Sequence, residues 1–157
     1  MSDEIDFYVT HLDGLRQAVR DVLLGLTADG LNWKPLPAGT NSVYNLAQHV
    51  AWVEQWLIGH ELGGRSFPYD WSQGQDLSGS GEDAADLLVW LDEAATVTAD
   101  VLSHLEPGAL DETRRRIEDG IERTRSLRWL VVDTIEHYAE HLGQMRLTRQ
   151  LWESRGE

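Results

Sequence analysis

Apolar residues recur at three- and four-residue steps in four stretches of this chain, and little else carries a regular pattern. In the first, from about Asp3 to Leu26, the residues Ile5, Tyr8, Leu12, Leu15, Val19, Val22, Leu23 and Leu26 line one face of a helix. Ser2 reads as its N-cap, and Asp29-Gly30 marks a break soon after it ends. Gly14 within it costs roughly 1 kcal/mol relative to alanine, which a close helix neighbour would explain. Two prolines and a glycine then forbid a helix across residues 31–40.

Asn41 or Ser42 caps the second helix, which runs to about Leu62 with Val43, Leu46, Val50, Val53 and Leu57 as its stripe and Trp52 and Trp56 alongside. Residues 63–81 are rich in Gly, Ser, Asp and aromatics and read as a long loop. Loops of more than about 12–15 residues in a small domain tend to be functional, and Phe67, Tyr69 and Trp71 favour a packed or functional one here. The third helix spans roughly Glu82 to Leu105, with Leu87, Leu88, Leu91, Ala95, Thr98, Val101, Leu102 and Leu105 on its buried side; Pro107-Gly108 ends it. Asp119-Gly120 between Ile117 and Ile121 signals a small two-stranded ribbon or bent loop within residues 110–126. The fourth helix, from about Ser126 to Glu153, is apolar nearly all round until its last two turns, as expected of a helix buried against several partners. Four helices and one long crossover loop predict an all-α four-helix bundle, a single domain over residues 1–157.

Composition narrows the chemistry. There is no cysteine, which removes disulfides, thiolate metal sites and cysteine nucleophiles. Any metal site must use His, Asp or Glu. The net charge of −14 argues against nucleic acid, which demands a basic footprint. The one dense basic cluster, Arg114-Arg115-Arg116, is surrounded by acidic residues and reads as a solvated loop. No stretch approaches the ~20 apolar residues of a membrane span, and the acidic start is unlike a secretory signal, so a soluble cytoplasmic protein is expected. Gly-x-Ser-x-Gly is absent, Gly74 to Gly81 lacks the lysine of a phosphate loop, and Glu-x-x-His does not appear twice as a di-iron bundle requires.

The histidines remain. His137 and His141 lie four apart and project from one helix face, the spacing that lets two imidazoles ligate one cation. Thr134, Gln144 and Thr148 extend the polar line on an otherwise apolar helix. Alone, the pair has a plainer reading: core histidines bonded to carboxylates or backbone. His49 changes the balance, because it flanks the core face of the second helix and could complete a three-histidine site with positions left open for water or substrate. Nitrogen ligands suit zinc, nickel, copper or iron rather than calcium or magnesium. Asp133 and Glu140 are candidate outer partners of the imidazoles; Gln144 could be a ligand or substrate contact but reads first as a helix-packing polar residue. His60 is too far along the helix to share an ion with His49. Like His11 and His104, it reads as surface or packing.

Three blocks in order carry a family likeness: Leu31-Asn32-Trp33-Lys34-Pro35 with Asn41-Ser42-Val43; Leu46-Ala47-Gln48-His49 with Val53-Glu54-Gln55-Trp56; and His137-Tyr138-Ala139-Glu140-His141-Leu142-Gly143-Gln144. Together they resemble the DinB-like superfamily over essentially the whole chain. The resemblance implies a bundle of the DinB/YfiT type and a divalent transition metal on His49, His137 and His141, zinc or nickel first and iron or manganese as further candidates. It also implies close helix packing at Gly143, a homodimer, and a metal-dependent transferase that uses a low-molecular-weight thiol (bacillithiol, mycothiol or glutathione) on a small electrophilic substrate. The alternative is a stress-associated metal-binding bundle without turnover. For a thiol bearing carboxylates, Arg65, Arg128 and Arg146 are the candidate contacts, with solvated surface arginines as the plainer reading.

Overall fold

Two serines start the two helices on which the site depends. Ser42 Oγ accepts from the Asn45 amide and Ser126 Oγ from the Trp129 amide, each at 3.1 Å, satisfying an amide that a helix start leaves unpaired. The computed structural model describes residues 3–68, 78–118 and 120–156. Its elements are α1 (Asp3–Leu23), a short α2 (Ala28–Asn32), α3 (Val43–Glu54) continuing as a π-helical segment (Gln55–Leu62), α4 (Ala85–Ser103), strands β1 (Thr113–Glu118) and β2 (Ile121–Ser126), and α5 (Leu127–Glu153). The expected bundle is present: α3 packs on α4 and α5, and α1 packs on the other side of the same pair. Ser2, Tyr69, Trp71 and Asp119, each given a role above, lie outside the described residues.

The stripe of α1 buries as its spacing requires, and so does that of α3. Three expectations need correction. First, α5 is not buried all round: Leu127, Leu130, Val131, Thr134, Tyr138, Leu142, Met145 and Thr148 form one buried face, while Ala139 and Leu147 face solvent. Counting apolar residues misses this because alanine and leucine are also good surface helix formers. Second, α4 buries Ala94 rather than Ala95, and Leu88 sits at the exposed margin. Third, Gly14 has no close neighbour: a Cβ there would meet nothing within 4 Å.

The sequence also concealed a turn of helix and a change of pitch. Thr27 caps α2 by accepting from the Gly30 amide, and Gly30 lets α2 lie against the Trp152 indole, which a Cβ would meet at 2.7 Å. From Gln55 the α3 ladder widens to π-type bonding, with the Gly63 amide reaching the Ile58 carbonyl at 2.9 Å. This segment comes close to α4 because Gly59 and Gly63 carry no Cβ, where one would sit 2.8 Å from Val97 and 2.6 Å from Val101.

One buried polar cluster ties all four long helices together. Glu54, with no exposure, pairs with Arg16 of α1, accepts from Thr98 Oγ1 of α4 at 2.6 Å, and accepts from the Tyr138 hydroxyl of α5 at 2.8 Å. Burial works against the Arg16 charge, but Glu54 and Asp13 together hold its affinity for a proton above the ordinary arginine value. Burial and then the Glu54 carboxylate push the Tyr138 phenol well above its usual range.

The ribbon pairs antiparallel with Arg114 opposite Arg125 and Arg116 opposite Arg123, and Gly120 takes the positive φ of 76° that the turn needs. The triple-arginine cluster is therefore a strand rather than a solvated loop. Arg116 is largely buried, with Nε 2.8 Å from Glu61 Oε2. No helix among the described residues is long and apolar enough to cross a membrane.

Candidate metal centre

His49 comes from the middle of α3, and His137 and His141 come from successive turns of α5. The two helices pack directly, and the Glu54–Tyr138 bond fixes their register one residue from His137. The three rings converge. Their centroids lie 4.8 Å (His49–His137), 5.1 Å (His49–His141) and 4.5 Å (His137–His141) apart, and one nitrogen from each falls within 4.8 Å of the others. Each residue is at least half-buried.

Two of the ring nitrogens meet directly. Nε2 of His137 and Nε2 of His49 are 2.8 Å apart, so one imidazole donates its N–H to the other. Burial, reinforced by the neighbouring His141 and His49, pushes the His137 imidazole down to about 3. At neutral pH His137 therefore presents a lone pair, the form a metal requires. Two nitrogens on a tetrahedral ion with bonds of about 2.05 Å stand about 3.3 Å apart, so the observed pair needs only a small separation to accept one. The donor set thus fits a divalent transition metal.

Gln144 has a clearer role than helix packing. It is exposed, and its Oε1 accepts from His141 Nδ1–H at 3.1 Å, which leaves Nε2 as the lone-pair nitrogen of that ring. Glu140 in turn accepts from Gln144 Nε2 at 3.5 Å, a long contact. Asp133 is half-buried one turn before His137. Thr134, on the same polar line, is satisfied within the helix by the Leu130 carbonyl. The packing role expected of Gly143 is not found, because a Cβ at that exposed glycine would meet nothing within 4 Å.

The other histidines fall where expected. His11 is exposed and stacks on Phe7, and His104 is exposed beside Asp100. His60 lies against Trp56 with a ring separation of 4.6 Å and bonds the Arg65 carbonyl through Nδ1. Of the arginines considered for a carboxylate, Arg65 is engaged by Asp100 and Arg128 by Glu4 and Asp111.

An aromatic wall continues from the histidines along α3. Trp52 and Trp56 stack with ring planes 7° apart, and Phe67, from the loop after α3, meets both edge-on. The far end of that loop is clamped to the bundle. Asn32 Nδ2 donates to the Gly81 carbonyl at 2.7 Å, the Gly81 amide donates back to Asn32 Oδ1 at 3.1 Å, and Asn45 Nδ2 donates to the Gly79 carbonyl. A Cβ on Gly79 would sit 2.3 Å from Gln48 Oε1, so the end of the Gln48 side chain, on the residue beside His49, would have to move to admit one. The sequence marked the loop but not these clamps, because an asparagine gives no sign of a partner 34 or 49 residues away.

The helical bundle is consistent with the DinB-like superfamily. Within that class, residues 8–154 match the family model for mycothiol-S-transferase, and the chain belongs to that family. The crystal structure of a conserved protein from Enterococcus faecalis has the same fold, with a TM-score of 0.75 over 96% of this chain and 98% of that one, at 17% sequence identity. No curated protein matches the sequence.

Proposed function

We propose that His49, His137 and His141 hold one divalent transition metal, and that the protein is a thiol S-transferase which joins a low-molecular-weight thiol to a small electrophilic molecule. The observation that carries this reading is the convergence of three imidazoles from two helices, with one nitrogen of each within 4.8 Å of the others. Family membership points to mycothiol as the thiol. Zinc and nickel suit three nitrogen donors best, and iron and manganese are the further candidates.

Held by His49, His137 and His141, such a metal would lower the pKa of a small thiol and so supply a thiolate at neutral pH. The chain's own residues supply the rest. The low proton affinity of His137 keeps its lone pair available, and Gln144 holds His141 in the matching tautomer. Trp52, Trp56 and Phe67 form an apolar wall along which a substrate lies with less water around it. With no cysteine in the chain, the sulfur nucleophile has to come from the small thiol. The natural assembly on this reading is a homodimer.

Turnover tests it. Purified protein loaded with zinc or nickel is given mycothiol and monobromobimane, and formation of the bimane conjugate is followed above the uncatalysed rate. The expected result is catalysis that vanishes in His137→Ala and on omission of metal. Conjugation no faster than the uncatalysed reaction for every metal, with the fold intact, removes the transferase reading.

A further inference from the structure

Outside the histidine site, the chain concentrates positive charge in one place. Arg114, Arg115, Arg116, Arg123 and Arg125 are five of its 13 basic residues, and all five lie on the ribbon of a protein with net charge −14. The register sets arginine against arginine twice, Arg114 with Arg125 and Arg116 with Arg123, on one face of the ribbon. Like charges directly opposite each other in a strand pair are unfavourable. That face turns toward the bundle: Arg125 and Arg116 lie 4.4 Å and 5.3 Å from the Trp129 ring centroid, and Arg116 pairs with Glu61.

Between the ribbon and the π-helical segment is an open cleft of about 300 Å³, lined by Trp56, His60, Glu61, Arg114, Arg115 and Arg116. Glu61 organises it by accepting from Trp56 Nε1 at 2.8 Å and from Arg116, while Arg114 donates to the Glu61 main-chain carbonyl. Arg114 and Arg116, on one face of the strand, and Arg115, on the other, thus border a cleft whose lining includes one carboxylate. Arg115 is 78% exposed, and Glu122, its counter-charge, is 3.6 Å away. Trp56 joins this cleft to the histidines, since it stacks on Trp52, which is three residues from His49. Eleven helical residues separate His49 from His60, no more than about 16 Å.

We infer that this cleft binds the anionic end of an organic carboxylate, with the apolar body of the molecule lying against the edge of Trp56 and the His60 ring and pointing toward the three histidines. Guanidinium forks match carboxylate oxygens in pairs, and aromatic edges take an apolar body. The direction of the molecule rests on the transferase reading above; the anion cleft stands on the ribbon and Glu61 alone.

The test uses 2-naphthoate and its uncharged counterpart 2-naphthamide as probes, titrated into ¹⁵N-labelled full-length protein at low salt. The Trp56 indole N–H, assigned with Trp56→Phe, and the ribbon amides are the reporters. Naphthoate should shift these signals and bind about tenfold more tightly than the amide, as expected of a charge-assisted pair. The double substitution Arg114→Gln with Arg115→Gln should weaken naphthoate at least about fivefold and leave naphthamide unchanged. His137→Ala should leave naphthoate binding as it is. Equal binding of acid and amide, shifts that map away from the ribbon, or an unaffected double variant with native amide dispersion each overturn the proposal. Naphthoate binding to a protein that takes up no metal supports the cleft and overturns only the metal reading.

Discussion

Tyr138 and Glu54 meet in the core at 2.8 Å, phenol to carboxylate, and neither has any exposure to solvent. The bond joins α3 to α5, the same two helices that bring His49 to His137, and Tyr138 is the residue next to His137. With Arg16 and Thr98 completing the cluster, the packing that stabilises the bundle also sets the distance between the histidines.

Removing single members of this cluster should be costly. Tyr138→Phe deletes a hydrogen bond to a charged group and is expected to lower stability by about 1.5–3 kcal/mol. Glu54→Leu leaves the buried Arg16 charge with only the exposed Asp13 carboxylate as partner and should cost about 3–5 kcal/mol. Urea unfolding of the two variants checks both values, and the leucine variant should unfold at clearly lower urea than the phenylalanine one.

Gly143, within α5, and Gly63, just past the π-helical segment, should respond in opposite directions. Gly143→Ala, on an exposed helical face with open space around it, should stabilise by about 0.5–1 kcal/mol. Gly63→Ala drives a methyl to 2.6 Å from Val101 and 2.9 Å from the Gly59 carbonyl, and should destabilise by about 1–3 kcal/mol. Thermal melts of the two proteins side by side give the comparison.

Acid should weaken the metal-free protein through His137. The imidazole takes a proton near 6.5 in the unfolded chain but only near 3 in the folded one. Between those values the unfolded state binds the extra proton, so stability falls as the pH drops through this window. The slope is up to about 1.4 kcal/mol per pH unit, and the full stability is present above about pH 6.5. Chelator-treated protein unfolded by urea at pH 7, 6 and 5 should show this loss, and His137→Leu should reduce the slope.

Gln144→Ala frees the His141 ring to adopt either tautomer. Metal affinity should fall about 10–100-fold with little change in melting temperature of the metal-free protein. A competition titration against a chromophoric chelator measures it.

Much of this was legible in the amino-acid order. The four helices follow from three- and four-residue apolar spacing, Ser42 is one of two cap candidates for the second of them, and the ribbon follows from Asp119-Gly120. The spacing of His137 and His141 together with the phase of His49 allowed a three-histidine site, and the family resemblance pointed to the same three residues. What stayed hidden depends on contacts between distant residues. Arg16 and Glu54 each look like ordinary surface charges until the fold brings them together. The close approach of Gly59 and Gly63 to α4 along and just past the π-helical segment depends on Val97 and Val101, and no local spacing reports that. Arg116 is counted with a solvated cluster until Glu61, 55 residues away, takes it into the protein. Gln144 was grouped with packing residues because its partner, His141, is apparent only from the direction of the two side chains.

The central claim is that His49, His137 and His141 form one metal site. Elemental mass spectrometry of untagged protein, with His137→Ala prepared in parallel, tests it most directly. The expected result is about one equivalent of a divalent transition metal per chain in the parent protein, and little in a variant that retains the helical circular dichroism of the parent. A parent protein that contains no such metal and takes up none of added zinc, nickel, iron or manganese would contradict the claim. The three imidazoles would then be a hydrogen-bonded cluster at the edge of the core.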